Sequence, residues 1–214
     1  MDGLLIDSES LSLQTFNETI SAYGLPDHSG LFSKVIGKNE ASLVATISSA
    51  LAKTIDVSAF RKDWADRYHA IVKNDPVPLK PGAVELLDWL KAQNIKTAVA
   101  TSSKTSLAKI KLKNAELLKY FEHVIGGDQV TQGKPHPEIY LKAASAVSAI
   151  SSQTLVLEDS EFGVKAGLAA NFHVIQIPDL LEPSPELLSL GHRVCVDLHE
   201  VLALLKSSRV KNPE

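Results

Sequence analysis

Met1-Asp2-Gly3-Leu4-Leu5-Ile6-Asp7-Ser8-Glu9 opens the chain and decides how the rest of it is read. An acid and a glycine come first, a short apolar run follows, and Asp7-Ser8-Glu9 closes the stretch. This pattern predicts a tight turn beside an apolar strand, with carboxylates near its tip. Glycine lets the backbone bend and come close to a ligand. By themselves the same residues also read as an acidic terminus in which Asp7 or Ser8 caps a helix. The remainder of the chain has to choose between the two.

Working outward, Ser10 to Ala22 has helical periodicity, with Leu11, Leu13, Phe16 and Ile20 on one face, and Gly24-Leu25-Pro26 ends it. Amphipathic helices are predicted near Glu40 to Ala52 and over Ser58 to Val72, the latter capped by Ser58. From Leu11 to Lys73 no strand alternation is convincing. Three prolines within Pro76 to Pro81 then break the chain. Beyond them the texture changes. Helices are predicted over Ala83 to Ala92, from Thr105, over Pro137 to Val147, Phe162 to Ala170 and Leu198 to Lys206. Strands are predicted over Lys96 to Ala100, His123 to Ile125, Thr154 to Leu157, His173 to Ile177 and Val194 to Val196. Pro137 suits a first helical turn. Strands alternating with helices argue for an α/β fold with one open, doubly wound parallel sheet, a Rossmann-like core. The expected domains are an α/β core, residues 1–10 and 78–214, and an inserted small helical cap domain, residues 11–77. The proline-rich joint suggests that the cap moves as a lid. Ser207 to Glu214 is expected to be a solvated tail.

In such sheets ligands bind beyond the carboxyl ends of the strands. Thr101, Ser102 and Ser103 follow one predicted strand, where hydroxyls and amides suit a phosphate or simply cap a helix. Another is followed by Gly126-Gly127-Asp128 and Gly133-Lys134-Pro135-His136-Pro137, where prolines hold the loop of Lys134; an isolated lysine is more often merely solvated. Glu158-Asp159-Ser160 follows a third. A helix cap explains one of its two carboxylates but not both. Paired anions in a confined site repel unless a cation sits between them, and oxygen-only ligands point to Mg2+. A cation site, a lysine, hydroxyls and an acidic turn together suit phosphoryl transfer, which depends on positioning and charge neutralisation.

These motifs resemble those of the haloacid dehalogenase superfamily, in the branch similar to β-phosphoglucomutases and small-metabolite phosphatases. Asp2, Gly3, Asp7, Ser8 and Glu9 match its first motif, Asp-x-Asp-Gly-x-x-x-Asp-Ser/Thr-Glu. Thr101 in Val-Ala-Thr-Ser-Ser resembles the second, Lys134 in Gly-Lys-Pro-His-Pro the third, and Glu158-Asp159-Ser160 with Gly163 the fourth. The resemblance implies that Asp2 protonates the leaving oxygen and then activates water, with its carbonyl on Mg2+. It implies Asp159 with Glu158 as the other metal ligands, and Gly3, Thr101, Ser102 and Lys134 as the phosphate-binding group. Asp2, Thr101 and Lys134 are thus the expected catalytic residues. Lys134→Ala is expected to weaken phosphate binding far more than folding.

The family's attacking aspartate stands two residues before Asp2, where Met1 fills the intervening position. The expectation is that the natural protein begins several residues earlier, with an apolar strand ending in Asp-Met-Asp-Gly, and that the 214-residue chain turns over little. An aspartate at position 2 fits phosphoryl transfer and not dehalogenation. Ser12 replaces the histidine common in the mutases, and Gly37-Lys38-Asn39-Glu40 lacks their second-phosphate arginine. Both differences favour a phosphatase. A sugar-phosphate mutase and a non-catalytic binder of phosphorylated ligands remain as alternatives.

Composition is ordinary for a globular chain, 44% apolar and 22% charged. A net charge of −3 does not suggest nucleic acid or an anionic membrane as partner. No apolar run approaches a membrane span, and no secretory signal is visible. One cysteine, Cys195, rules out an internal disulfide framework. The seven histidines show no helical metal-ligand spacing, which argues against zinc. The expected protein is a cytoplasmic monomer acting on a small phosphorylated metabolite, a sugar phosphate among the candidates.

Overall fold

The computed structural model describes residues 1–26, 28–36 and 40–211. Gly37, Lys38 and Asn39, from the stretch that lacks the mutase arginine, lie outside it. The chain divides into two compact units, Ser8–Asp75 and a second made of Met1–Asp7 with Pro76 onward.

The first unit is helical: α1 (Ser8–Ala22), α2 (Ser29–Val35), α3 (Glu40–Leu51) and α4 (Val57–Asn74). Its core gathers around Phe16, whose ring centroid lies 5.1 Å from Trp64, 5.6 Å from Phe32 and 5.7 Å from Phe60. Aromatic pairs at such distances and tilted angles add to the free energy of burial. Thr15 and Thr19 share the buried face of α1 with Phe16 and Ile20. Their hydroxyls donate to the carbonyls of Leu11 and Thr15, so polar side chains are buried without a lost hydrogen bond. Apolar periodicity cannot reveal such positions. Nor does it reveal α2, which is only seven residues long. The cap of α4 is Asp56 rather than Ser58. Asp56 Oδ1 accepts from the amides of Ser58 (2.8 Å) and Ala59 (3.2 Å), which places Ser58 inside the first turn. Asp56→Ala is therefore expected to cost about 1 kcal/mol of stability, and Ser58→Ala much less. Denaturant titration of the two variants checks this order.

The second unit begins with the turn. The Met1 carbonyl accepts from the amides of Leu5 (2.9 Å) and Ile6 (3.3 Å), and Gly3 adopts a φ of +69°. The expected tight turn thus forms over Gly3 to Leu5, with single bridges at Asp2 and Ile6. The amide of Asp7 donates to the Pro78 carbonyl and that of Lys80 to the Leu5 carbonyl, which fixes the turn beside Pro78 to Lys80.

From there the chain runs α5 (Ala83–Ala92), β1 (Ala98–Thr101), α6 (Thr105–Asn114), β2 (His123–Gly126), α7 (Glu138–Ala146), β3 (Leu155–Glu158), α8 (Glu161–Ala169), β4 (His173–Gln176), α9 (Pro185–Leu188), β5 (Arg193–Val194) and α10 (Leu198–Lys211). All strand pairs are parallel. The fold is Rossmann-like α/β, but the described strands form two sheets, β1-β2 and β3-β4-β5, instead of one. A shared core joins them. Ile125 of β2, Val156 of β3 and Val174 of β4 pack in one cluster with Ile139 and Ala143 of α7 and Val164 of α8. Each such side chain contributes about 1.5–3 kcal/mol by leaving water. Within each sheet the strands are parallel, so Thr101 and Gly126 end together, as do Glu158 and Gln176.

At the C-terminus β5 is shorter than expected. Val196 is exposed, while Cys195 is buried and bonded through its amide to the Gln176 carbonyl. Burial pushes the Cys195 thiol up, as suits an inert core residue. Of the residues expected as a tail, Ser207 to Lys211 continue α10, and residues 212–214 lie outside the described ones. Among the described residues no helix is long and apolar enough to cross a membrane.

Candidate active site

Asp2 sits where the turn meets the end of β1. Its Oδ1 accepts from Lys111 Nζ at 2.6 Å, and its Oδ2 accepts from Ser103 Oγ at 2.9 Å and, weakly, from Thr101 Oγ1 at 3.4 Å. Lys111 comes from α6 and is only 2% exposed. Burial pushes the Asp2 carboxyl up, but Lys111 and the hydroxyl donors outweigh it and hold the group below the usual carboxylate range. Thr101 and Asp2 thus meet, as their sequence patterns suggest. Lys111 carries no such signal. It stands between Lys109 and Lys113 in a helix whose lysines all read as solvated.

Lys134 is buried beside β3. Its Nζ pairs with Glu158 Oε1 and lies 4.9 Å from the centre of the Tyr140 ring. Tyr140 also donates its hydroxyl to Glu158 Oε1 at 2.8 Å, and Ser160 donates its amide (2.9 Å) and hydroxyl (3.0 Å) to Oε2. Burial opposes the charge on Glu158, but Lys134 overcomes it and the carboxyl is held at about 2. Ser160 Oγ accepts from the Gly163 amide in turn, capping α8. Position 163 has to be glycine, because a Cβ there would fall 1.9 Å from Glu158 Cδ.

Two expected site residues thus meet each other. Glu158, paired with Asp159 as a metal ligand on sequence grounds, has both oxygens engaged by protein donors and holds Lys134. Lys134, whose loss is expected to weaken phosphate binding far more than folding, has a buried counter-charge in Glu158.

Asp159 faces elsewhere. A Cβ at Gly3 would stand 2.6 Å from Asp159 Oδ2 and 3.0 Å from Asp179 Oδ2, so both carboxylates converge on the backbone of the turn. Gly3, expected to bind phosphate, donates its amide to the Ile6 carbonyl at 3.0 Å, and its lack of a side chain makes room for Asp159. Burial pushes the Asp159 carboxyl well up, and neighbouring Glu158 pushes it further. Among the described residues no three His, Cys, Asp or Glu side chains form a ready metal cluster. The donors available are carboxylate and carbonyl oxygens, and Asp179 Oδ2 is buried without a hydrogen-bond partner. An orphaned anionic oxygen beside a second carboxylate fits a hard cation such as Mg2+. Sequence reasoning missed Asp179, which stands beyond Ile177 and Pro178 in the loop after β4, on the side to which the strand-end rule points.

A cavity of about 360 Å³ opens beside Lys134. Ser102, Lys104, Asp128 and Lys134 line it, with Gly127 and Gly133. Asp128 is committed to the start of α6, accepting from Thr105 N and Oγ1, each at 2.7 Å. Lys104, Lys134 and Ser102 leave the pocket suited to an anion. Of the expected phosphate-binding group, Ser102 and Lys134 line this space. Thr101 turns instead to Asp2 and accepts from the Ser103 amide.

Known proteins are similar to this chain in sequence and fold. A phosphorylated carbohydrates phosphatase from Thermotoga maritima is 32% identical over 207 residues, which cover 96% of this chain and 95% of that protein. A crystal structure from the same organism, assigned as a β-phosphoglucomutase, aligns with a TM-score of 0.82 at 30% identity over 97% of this chain and 96% of that one. A hydrolase from Deinococcus radiodurans, solved with bound phosphate and sodium, aligns with a TM-score of 0.81 at 26% identity over 100% and 96%. Residues 1–177 match the haloacid dehalogenase-like hydrolase family. The chain belongs to that family.

Proposed function

We propose that this protein is a Mg2+-dependent phosphatase that hydrolyses phosphoric monoesters of small metabolites, phosphorylated carbohydrates foremost. The observation that carries the reading is Lys134, held by Glu158 at the wall of an anion-suited cavity near the acidic turn. The similarity to a phosphatase of phosphorylated carbohydrates supports the substrate class. Ser102 and Lys134 bind the phosphoryl oxygens. Thr101 and Ser103 orient the Asp2 carboxylate, which Lys111 keeps ionised at neutral pH. Asp2 is therefore set to take a proton from water, and it donates to a leaving oxygen only when it has first been protonated. The Asp159 side chain and the Asp2 carbonyl would hold Mg2+, which when bound neutralises charge on the phosphoryl group. Asp2 and Asp159 thus have separate tasks, and attack on phosphorus is assigned to neither.

The test is phosphate release from a panel of sugar phosphates by the natural gene product. Release should require Mg2+, stop on chelation, and fall to background in Lys134→Ala. A protein that releases no phosphate from any ester, or releases it equally well in chelator, is not this phosphatase. The structure assigned as a mutase favours a second reading. Isomerisation of a sugar 1-phosphate that depends on a bisphosphate activator would establish it.

A further inference from the structure

We propose that Asp179 is a second carboxylate of the cation site, facing Asp159 across Gly3. This rests on the Mg2+ reading above. Two independent features of the fold put it there. The amide of Ile177 donates to the Glu158 carbonyl at 2.7 Å, so parallel pairing continues past the end of β4 and draws Asp179 alongside Asp159. From the other side, the backbone amide of Lys80 donates a hydrogen bond to the Leu5 carbonyl, which fixes it to the turn, and its Nζ donates to Asp179 Oδ1 at 2.7 Å. The Asp179 side chain is 7% exposed.

A purely structural bridge to Lys80 explains only Oδ1. Oδ2 remains buried with no donor, and leaving a charged oxygen in that state costs about 1–3 kcal/mol or more. It lies within 3.0 Å of the point where a Gly3 Cβ would stand, and Asp159 Oδ2 lies within 2.6 Å of the same point. Two anionic oxygens aimed at one place repel each other unless a cation lies between them. Lys80 cannot fill that role at Oδ2, since its recorded bond is to Oδ1. Nitrogen and sulfur ligands are absent from the pair, so the ion is hard and takes oxygen: Mg2+ before Zn2+. Lys80 then acts as a positioning residue. It presents Oδ2 to the ion and offsets one negative charge, so two carboxylates can stand close together before the ion arrives.

Mg2+ titration of the protein by calorimetry, with thermal unfolding in parallel, tests this without reference to turnover. The unaltered protein should bind Mg2+ and unfold at a higher temperature with it. Asp159→Asn should lose the effect. Asp179→Asn should weaken Mg2+ binding about tenfold or more, while Lys80→Met, which removes the bridge but keeps the carboxylate, should weaken it less. Asp179→Glu keeps the charge and displaces the oxygen, and it serves if the asparagine variant does not fold; it too should bind Mg2+ more weakly. Unchanged Mg2+ affinity in the Asp179 variants, with Asp159→Asn still defective, overturns this proposal alone. Unchanged affinity in Asp159→Asn, or no Mg2+ binding by the unaltered protein at millimolar concentration, overturns the Mg2+ reading and this proposal with it.

Discussion

Lys134→Ala is expected to destabilise the α/β unit by about 3–5 kcal/mol, besides removing the cation from the phosphate cavity. Glu158 is 5% exposed at its side chain, and Lys134 is its ion-pair partner. Truncating the lysine leaves that carboxylate buried without a counter-charge. The Tyr140 hydroxyl and the Ser160 amide and hydroxyl still donate to it, which favours the lower end of the range. The acid side of the stability profile should move as well. Glu158 is held at about 2, below the range of an ordinary glutamate. A depressed folded value contributes stability that is present above the unfolded value and is lost as pH falls through the folded one. Without Lys134 the Glu158 carboxyl takes its proton at higher pH, so acid unfolding should begin earlier. The double variant Lys134→Met with Glu158→Gln removes both charges and should recover most of the lost stability while still failing to bind phosphate. Urea titrations of the two single variants and the double variant at neutral pH measure the coupling. A Lys134→Ala protein as stable as the original would mean that Glu158 does not depend on this lysine.

Asp159→Asn should act in the opposite direction and make the metal-free protein more stable, by roughly 1–3 kcal/mol at neutral pH. Asp159 lies beside Glu158 in sequence and shares the Gly3 backbone with the orphaned Asp179 oxygen. The donor recorded to its side chain is its own backbone amide, which does not offset the burial. Burial and then Glu158 push its carboxyl well up. The sign follows from that direction. An acid whose folded value is raised costs the fold free energy at any pH above its unfolded value, because it must either hold a proton or be charged unaided. Asparagine keeps the shape and removes that cost. The gain should therefore appear near pH 7 and vanish below about pH 4, where aspartate is protonated in both states. Thermal unfolding in chelator should show a rise of several degrees. Adding Mg2+ should then raise the original protein and leave the variant unmoved. This is the usual exchange at a functional site, where stability is given up to hold groups that repel until a ligand arrives. If Asp159→Asn is less stable than the original in chelator, the carboxylate is paired in the free protein and the site is wrongly drawn.

The order of elements and the side of the fold that carries chemistry are legible in the amino-acid chain. Helices and strands declare themselves through local periodicity, and prolines and glycines punctuate them, so α5, α6 and the strand His123–Gly126 lie close to where the pattern puts them. Because parallel strands all end on one side, Thr101, Lys134, Glu158 and Asp159 could be gathered at a common site before any contact was known. Which group answers which is settled by contacts between distant parts of the chain. The partners of Asp2 lie 99 to 109 residues away, and Lys80 meets Asp179 across 99 residues. Nothing local distinguishes Lys111 from the exposed lysines beside it, since its burial comes from how α6 lies against the turn. Adjacent Glu158 and Asp159 look alike in sequence. They part in the fold because successive side chains at a strand end point to opposite sides: one turns to Lys134 and the capped start of α8, the other to Gly3 and Asp179. The division of the strands into two sheets is likewise invisible in any one segment, because backbone pairing is settled between strands and not within them.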